Sequence, residues 1–564
     1  MMSLYQPRTV KPFAISDHGR FAWLPWILLA AAICLQIRVG VALLSGDLAD
    51  SDPPAHFTTG VMLHDFIRHG QSMRPIPFAE CFYVRYPKVA LGHWPPGFYV
   101  VEGLWFFIFG AKIAAARWLC ACIAAGCALL LYERCRTFWG RWHAIAACAI
   151  FLGYPVVQKQ AWQVMSDLLL AGFVFLAIWS LSDYLISGST RHAVWIAVWS
   201  SCAILTKADG WLLLIPIAVG PLVTGRHKVY ASWSYWLGIT LTGLISAPFF
   251  VWMNALHLGY PTKIEGHLHR LAVIVFRLSG GTCVIGGLVL VILATAIYRL
   301  WPRRKLKPIS TISILLVLWG FSQVVFINLA PMTAELDRYY IPSLAPAAFL
   351  FAGAMAVLER FLTSKSLRYA TLFPALLYAG SLAACAPIRL ISTTAFSKAL
   401  AAVPVTQDGQ IVLVESDAPG EGAMIAAQLE RDWNRSTFML RASKFLANSD
   451  WNGGIYSTKY RDSAAVREAM ASIPLAYVLV DTSAPATSYA RLLEAALQDP
   501  EWKWTVVASI PVALGGRCGR VLVYHRESPV RSGGFQTSIQ LGPEGGLQML
   551  TCGDLTRGSD PFTR

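Results

Sequence analysis

The sequence predicts a polytopic α-helical membrane protein of about eleven transmembrane helices, followed by a small α/β domain outside the membrane. Three observations carry this. Hydrophobic residues make up 55% of the 564-residue chain, with 21 Trp and only 14% charged residues, a composition foreign to ordinary soluble domains. Many apolar runs approach the ~20 residues that cross a bilayer. Beyond about residue 390 these give way to short β-branched stretches. The net charge of +15 would suggest nucleic acid in a soluble chain. Here the Arg and Lys lie in short loops between apolar runs, where cytoplasmic positive charge orients helices, so no nucleic-acid partner is expected. Most of the twelve Cys, among them Cys34, Cys120, Cys127 and Cys148, sit inside apolar runs without metal spacing, as buried thiols do.

The first apolar run, Phe21 to Leu44, is long enough to persist as a helix rather than be cleaved as a signal. Lys11 and Arg20 precede it and place the N-terminus inside, so the chain emerges on the outer face near Ser45. The stretch 96–110 is apolar but short, and Arg134, Arg136 and Arg141 must stay inside. It is therefore expected to lie in the outer interface, where Trp94, Tyr99 and Trp105 suit the headgroup level. The first outer loop then runs over 46–116. Spans are expected at 118–132, 142–157, 168–186, 193–206, 211–224, 231–253, 282–299, 309–329, 341–358 and 369–387. The short pair 193–206 and 211–224 flanks Lys207-Ala-Asp-Gly210, and an odd number of spans puts the C-terminus outside. The membrane domain is thus 1–389.

Residues 390–530 form the outer domain. Ile411–Glu415, Tyr477–Asp481 and Val521–Tyr524 read as strands, with helical patterns at 420–431 and 486–498 between them. Strands alternating with helices imply a mainly parallel sheet. Asp481 ends a strand, where ligands bind in open sheets, but an exposed loop acid is the simpler reading. The Gly-, Ser- and Thr-rich tail, 531–564, reads as disordered.

The densest polar stretch is Gly46-Asp-Leu-Ala-Asp-Ser-Asp-Pro-Pro-Ala-His56. A carboxylate at a membrane face can bind a cation, act as a base, or simply be solvated. On the expected topology Asp52, His56, Lys88, His93, Asp167 and Arg338 share the outer face. Each has an ordinary explanation. Asp52-Pro is a turn element, His56 a structural histidine, Asp167 an acid favoured at a helix N-terminus, and Arg338 a snorkelling cation. Their convergence on one face favours a site.

Several of these motifs resemble a known family in their order. Ser51-Asp-Pro-Pro-Ala-His-Phe57, followed by Gly60 and Gly70, resembles the first-loop motif of C-type (GT-C) membrane glycosyltransferases. The similarity is to the protein O-mannosyltransferase and aminoarabinose-transferase branch. His93-Trp-Pro-Pro-Gly-Phe-Tyr99, Phe109-Gly110, Arg117, Ser166-Asp167, Leu205-Thr-Lys207 and Arg338-Tyr339 follow as expected over about residues 20–360. The resemblance implies a polyprenyl-phosphate sugar donor, an extracytoplasmic protein, lipid or glycan acceptor, inversion at the anomeric carbon, and Asp52 as base. Asp167 would be a second catalytic acid. Arg338, Lys88, Lys207 and His93 would hold the donor phosphate. Asp50 and His56 would lie near the acceptor or a metal, and Asp50, Asp52, His56 and His93 offer donors that a divalent cation takes. No cofactor is otherwise implied. A bacterial inner membrane is the expected location.

Two departures stand out. Pro53 replaces the Glu that often follows the family's first Asp, and Trp94 replaces a Lys before Pro-Pro. Two rivals follow. A transporter of an envelope precursor would carry charges mid-span and inverted repeats, and a non-catalytic envelope scaffold would explain the missing Glu.

Overall fold

Proline and glycine set many of the boundaries in this fold. A computed structural model describes residues 46–69, 74–90, 94–255, 310–329, 336–359, 394–405, 410–449 and 456–526, with two short paired strands, Thr537–Gln540 and Leu547–Leu550. The expected spans 21–44, 282–299 and 369–387 and residue His93 lie outside the described residues. So does most of the tail read as disordered.

The expected first outer loop is largely helical, and beyond the helix expected at 96–110 its sequence pattern did not suggest this. Helix α1 (Pro53–His69) starts on the Pro-Pro pair, and α2 (Pro75–Arg85) also starts on a proline. A missing N–H costs nothing at a helix start, and the fixed φ is already helical. Helix α3 (Gly97–Phe109) crosses α1 closely. A Cβ on Gly103 would lie 3.4 Å from the His64 backbone nitrogen. Helix α3 is the expected interfacial segment, and it exposes Leu104, Phe107 and Ile108.

Within the membrane domain come α4 (Ile113–Trp139), α5 (Arg141–Gly153), α6 (Pro155–Trp162), α7 (Asp167–Ser187), α8 (Thr190–Thr206), α9 (Leu214–Val223), α10 (Trp233–Ala255), α11 (Thr311–Leu329) and α12 (Ile341–Glu359). Among the described residues four helices are long and apolar enough to cross a membrane: Ile113–Trp139, Asp167–Ser187, Trp233–Trp252 and Arg338–Val357. Two expected spans are not continuous helices. The run 142–157 breaks at Tyr154, extended at φ −68° and ψ 128° before Pro155, because the proline ring disfavours helical geometry in the preceding residue. The run 211–224 begins as a 3-10 turn, Ala208–Leu213, after Lys207 has left the helix at φ −157°. Trp319, Phe349, Leu315 and Ala128 sit at the centre of this bundle's core.

The C-terminal α/β domain, expected outside the membrane and called the outer domain for that reason, includes α13 (Ala395–Leu400), β1 (Gln410–Glu415), α14 (Ala418–Arg431), β2 (Thr437–Arg441), α15 (Ser463–Ala471), β3 (Leu475–Asp481), α16 (Ser488–Leu497), β4 (Trp504–Leu514) and β5 (Arg517–Arg526). The sheet order is β2-β1-β3-β5-β4. Strands β2, β1 and β3 are parallel, whereas β5 pairs antiparallel with β3 and with β4. The sheet is therefore mixed, not mainly parallel. Gly515-Gly516, both at positive φ, turn β4 directly into β5, and a two-residue turn joins only antiparallel strands.

Every residue of β1 is buried, as a central parallel strand requires. The core around β1 is continuous with the first outer loop. Phe57, Phe78, Phe82 and Tyr86 belong to the same apolar cluster as Val412, Met424 and Met439. The outer domain is thus built onto the loop that carries Asp52.

Candidate active site

Two ion pairs from four distant segments meet at one end of the bundle. Asp52 precedes α1, and its backbone carbonyl accepts the first helical N–H groups, from Ala55 and His56. Its Oδ2 accepts from Arg338 Nη1 at 2.6 Å, across 286 residues. Arg338 sits in the 3-10 turn Leu336–Tyr340 that feeds α12. Its guanidinium is thus held by a carboxylate partner, where the sequence alone allowed a snorkelling cation.

Asp167 is the first residue of α7, as expected of an acid at a helix N-terminus. Its Oδ1 also accepts from Lys207 Nζ at 2.6 Å, and Asp209 Oδ2 lies 3.8 Å from the same ammonium. Glycines place this lysine. A Cβ on Gly210 would lie 2.5 Å from the Ile204 nitrogen, and one on Gly97 would lie 2.7 Å from the Leu205 carbonyl oxygen. The turn after α8 can therefore fold back on its own helix while the start of α3 rests on its end. The Tyr339 ring joins the two pairs, with Lys207 Nζ 4.3 Å and the Arg338 guanidinium 5.3 Å from its centre. Both distances suit cation–π attraction.

His56 is buried beside these pairs. It stacks on Trp94 with ring centres 4.3 Å apart, and its Nδ1 shares a hydrogen bond of 3.1 Å with Tyr99 Oη. Burial pushes its pKa down to about 3 against the pull of Asp52 and Asp167, so the ring is neutral at physiological pH. Burial alone would raise the Asp52 pKa, but the Arg338 guanidinium, helped by Lys88, holds it below its ordinary value. Lys88 is fully buried; desolvation lowers it to about 7, with Arg441 acting in the same direction and Asp52 and Glu421 opposing.

The neighbouring acids are tied elsewhere. Asp50 accepts from the Ser51 N–H at 2.7 Å and from Gln163 Nε2 at 2.9 Å. Asp47 accepts the N–H groups of Phe396 and Ser397 at 3.0 and 3.2 Å, where α13 begins. Among the described residues no group of three or more His, Cys, Asp and Glu is arranged to hold a metal ion.

Asp52, His56, Lys88, Asp167, Lys207 and Arg338 are therefore brought together. Asp50 stands at the edge through Gln163, and His93 lies outside the described residues. Sequence reasoning missed Asp209 and the cation-bridging role of Tyr339. The Lys207-Ala-Asp209 spacing and the Arg338-Tyr339 pair were the available signals. Asp481 is not an exposed loop acid. It is 2% exposed and accepts from Ser416 Oγ, the Ser483 N–H and Ser483 Oγ at 2.7, 2.9 and 2.7 Å.

Residues 93–252 match the model of the dolichyl-phosphate-mannose-protein mannosyltransferase family. No curated protein sequence matches the chain. In fold it is similar to ArnT from Cupriavidus metallidurans bound to undecaprenyl phosphate, with a TM-score of 0.56 at 14% identity, over 90% of this chain and 99% of that one. It is also similar to the oligosaccharyltransferase of Archaeoglobus fulgidus in complex with Zn and sulfate, with a TM-score of 0.50 at 14% identity, over 87% and 72% of the two chains. Sequence match and fold point the same way: part of the chain matches the protein-mannosyltransferase family model, and the chain as a whole shares the fold of ArnT.

Proposed function

We propose that the protein transfers a sugar from a polyprenyl-phosphate donor to an acceptor hydroxyl, with inversion, on the extracytoplasmic face of a bacterial inner membrane. The observation that carries this is the Asp52–Arg338 pair at 2.6 Å, with Lys88 and the Lys207–Asp167 pair around it. The undecaprenyl phosphate bound to ArnT, a protein of similar fold, supports the choice of donor.

A donor phosphate entering the site competes with Asp52 for Arg338 and Lys88. A guanidinium can grip two phosphate oxygens at once, and Lys88 adds a point charge. As the cations turn to phosphate, Asp52 loses what depresses its basicity and is left to accept a proton. The acceptor oxygen then attacks the anomeric carbon from the face opposite the phosphate. The anomeric C–O bond to phosphate breaks, its electron pair stays on the phosphate oxygen, and the hydroxyl proton goes to Asp52. One base and one stabilised leaving group suffice for a single inverting displacement.

Lys207 pairs with Asp167 beside the site and lies over the Tyr339 ring. Asp167 would orient the acceptor hydroxyl or the sugar. His56, neutral and wedged between Trp94 and Tyr99, can offer an uncharged hydrogen bond to a sugar. The decisive experiment is transfer from a panel of labelled polyprenyl-phosphate sugars in membranes, parent against Asp52→Asn. Labelled product from the parent, reduced by ~100-fold or more in the variant, is the expected result for a lost base. Equal transfer by both proteins would move the base elsewhere. No transfer from any donor would favour a transporter or a scaffold.

A further inference from the structure

Lys88 lies on the seam between the first outer loop and the outer domain, and the backbone on both sides of it is pinned. Just before it, Tyr86 Oη donates to Asp432 Oδ2 at 2.8 Å, and the Arg85 guanidinium lies 4.8 Å over the Phe438 ring. Just after it, the Ala90 N–H donates to Thr59 Oγ1 on α1 at 2.9 Å. One anchor thus belongs to the outer domain and the other to the helix that begins after Asp52.

Helix α14 closes the seam with a glycine. A Cβ at Gly422 would fall 3.0 Å from Lys88 Cε and 3.2 Å from Pro54 Cγ. Both separations are tighter than ordinary van der Waals contact. Position 422 therefore touches the lysine chain and, two residues after Asp52, the start of α1. A glycine inside a helix costs about 0.5–1 kcal/mol relative to alanine, so it is retained where a close approach needs it. Next to it, fully buried Glu421 accepts from Arg441 Nε at 2.7 Å, the Ser443 N–H at 2.9 Å and Ser443 Oγ at 2.5 Å. These bonds fix the orientation of the α14 face that carries Gly422. Glu421 and Arg441 are also among the charges that Lys88 feels, together with Asp52 and Lys444.

We infer that the outer domain is a working wall of the transfer site: Gly422 is a positioning residue that seats the Lys88 ammonium beside the Asp52 turn, and the Glu421–Arg441 pair holds that seat in place. The inference rests on Lys88 being a ligand of the donor phosphate. The nearest atoms that a side chain at 422 meets belong to the lysine and the proline. The proline is built into α1, so the lysine moves. Its burial keeps it from swinging into water, and the displacement is passed to Nζ.

The test is a double-mutant cycle in the full-length protein in lipid nanodiscs, with Gly422→Val, the milder Gly422→Ala, Lys88→Met and the combinations. Binding of undecaprenyl phosphate, the KM values for donor and acceptor, kcat and thermal stability are read for each. Gly422→Val is expected to weaken undecaprenyl-phosphate binding roughly tenfold, with Gly422→Ala intermediate, a coupling within the range for residues in contact. Donor KM rises with it, acceptor KM does not change, and the 422 substitution adds nothing in the Lys88→Met background. Equal losses in the parental and Lys88→Met backgrounds overturn the inference, as does a loss of stability from both 422 variants with no donor-specific effect. Lys88→Met binding undecaprenyl phosphate as the parent does would instead strike at the donor-phosphate reading, and the seat's role in transfer would fall with it.

Discussion

The protein buries carboxylates at one end of the helix bundle and another, Asp481, at the carboxyl edge of the α/β domain's sheet, and the two places satisfy them with different kinds of partner. At the bundle end Asp52 and Asp167 are met by Arg338 and Lys207, cations from distant segments that share the Tyr339 ring. At the sheet edge Asp481 is met by two serine hydroxyls and a backbone N–H. Neutral donors from the local fold have no second task, and removing one leaves a buried group unsatisfied. A cation can transfer its attention from a carboxylate to an incoming phosphate with its charge still paired. The first arrangement is suited to exchanging partners during a reaction, the second to holding a sheet edge together.

Lys207→Met puts the strongest strain on this contrast. It leaves Asp167 buried with its principal cation gone, which costs about 3–5 kcal/mol in comparable buried pairs. Thermal unfolding in detergent should shift down markedly and transfer should be lost. A variant of parental stability would mean that Asp167 is not held by this pair. Asp52→Asn comes next, with transfer reduced by ~100-fold or more and a smaller change in unfolding temperature. Comparable losses of stability and transfer would assign Asp52 to the structural class.

The pH dependence of donor use sharpens the role of Lys88. With its pKa lowered to about 7, Lys88 is charged below that pH and becomes neutral above it. The phosphodiester of the donor does not titrate there, His56 is already neutral, and Asp52 remains ionised. Donor KM should therefore rise with pH above 7, approaching tenfold per unit if only the charged lysine binds, and Lys88→Met should lack this limb. A flat profile in the parent would remove Lys88 from the phosphate site. The smallest effect on transfer is expected from Asp481→Asn. It should lower stability by about 1–3 kcal/mol through weakened hydrogen bonds and leave transfer per folded molecule unchanged. Loss of transfer by a well-folded Asp481→Asn protein would break the comparison.

Much of the membrane domain was legible because its signal is local. Apolar runs at 168–186, 231–253, 309–329 and 341–358 became α7, α10, α11 and α12 with ends shifted by a few residues. The failures have local causes too. Pro155 broke one run, and Gly515-Gly516 announced a hairpin that was not used. Helix α1 was missed because it packs between α3 and α14. It is buried over most of its surface, so no polar face remains to give a helical period. Within the site, Asp52, Asp167 and Arg338 were visible as charges expected at an outer face, and Lys207 through the family resemblance. Which anion meets which cation was not.

The sequence alone determined the class of protein, the side of the membrane where its polar groups were expected, and the short list of charged residues from which a site could be built. It did so because apolar length and charge placement are properties of contiguous stretches. Only the tertiary structure decided that Arg338 belongs to Asp52, that Lys207 belongs to Asp167, and that Gly422 of the outer domain lies against Lys88. Such pairings depend on backbones approaching to within ångströms across hundreds of residues, and no periodicity within one stretch encodes that distance.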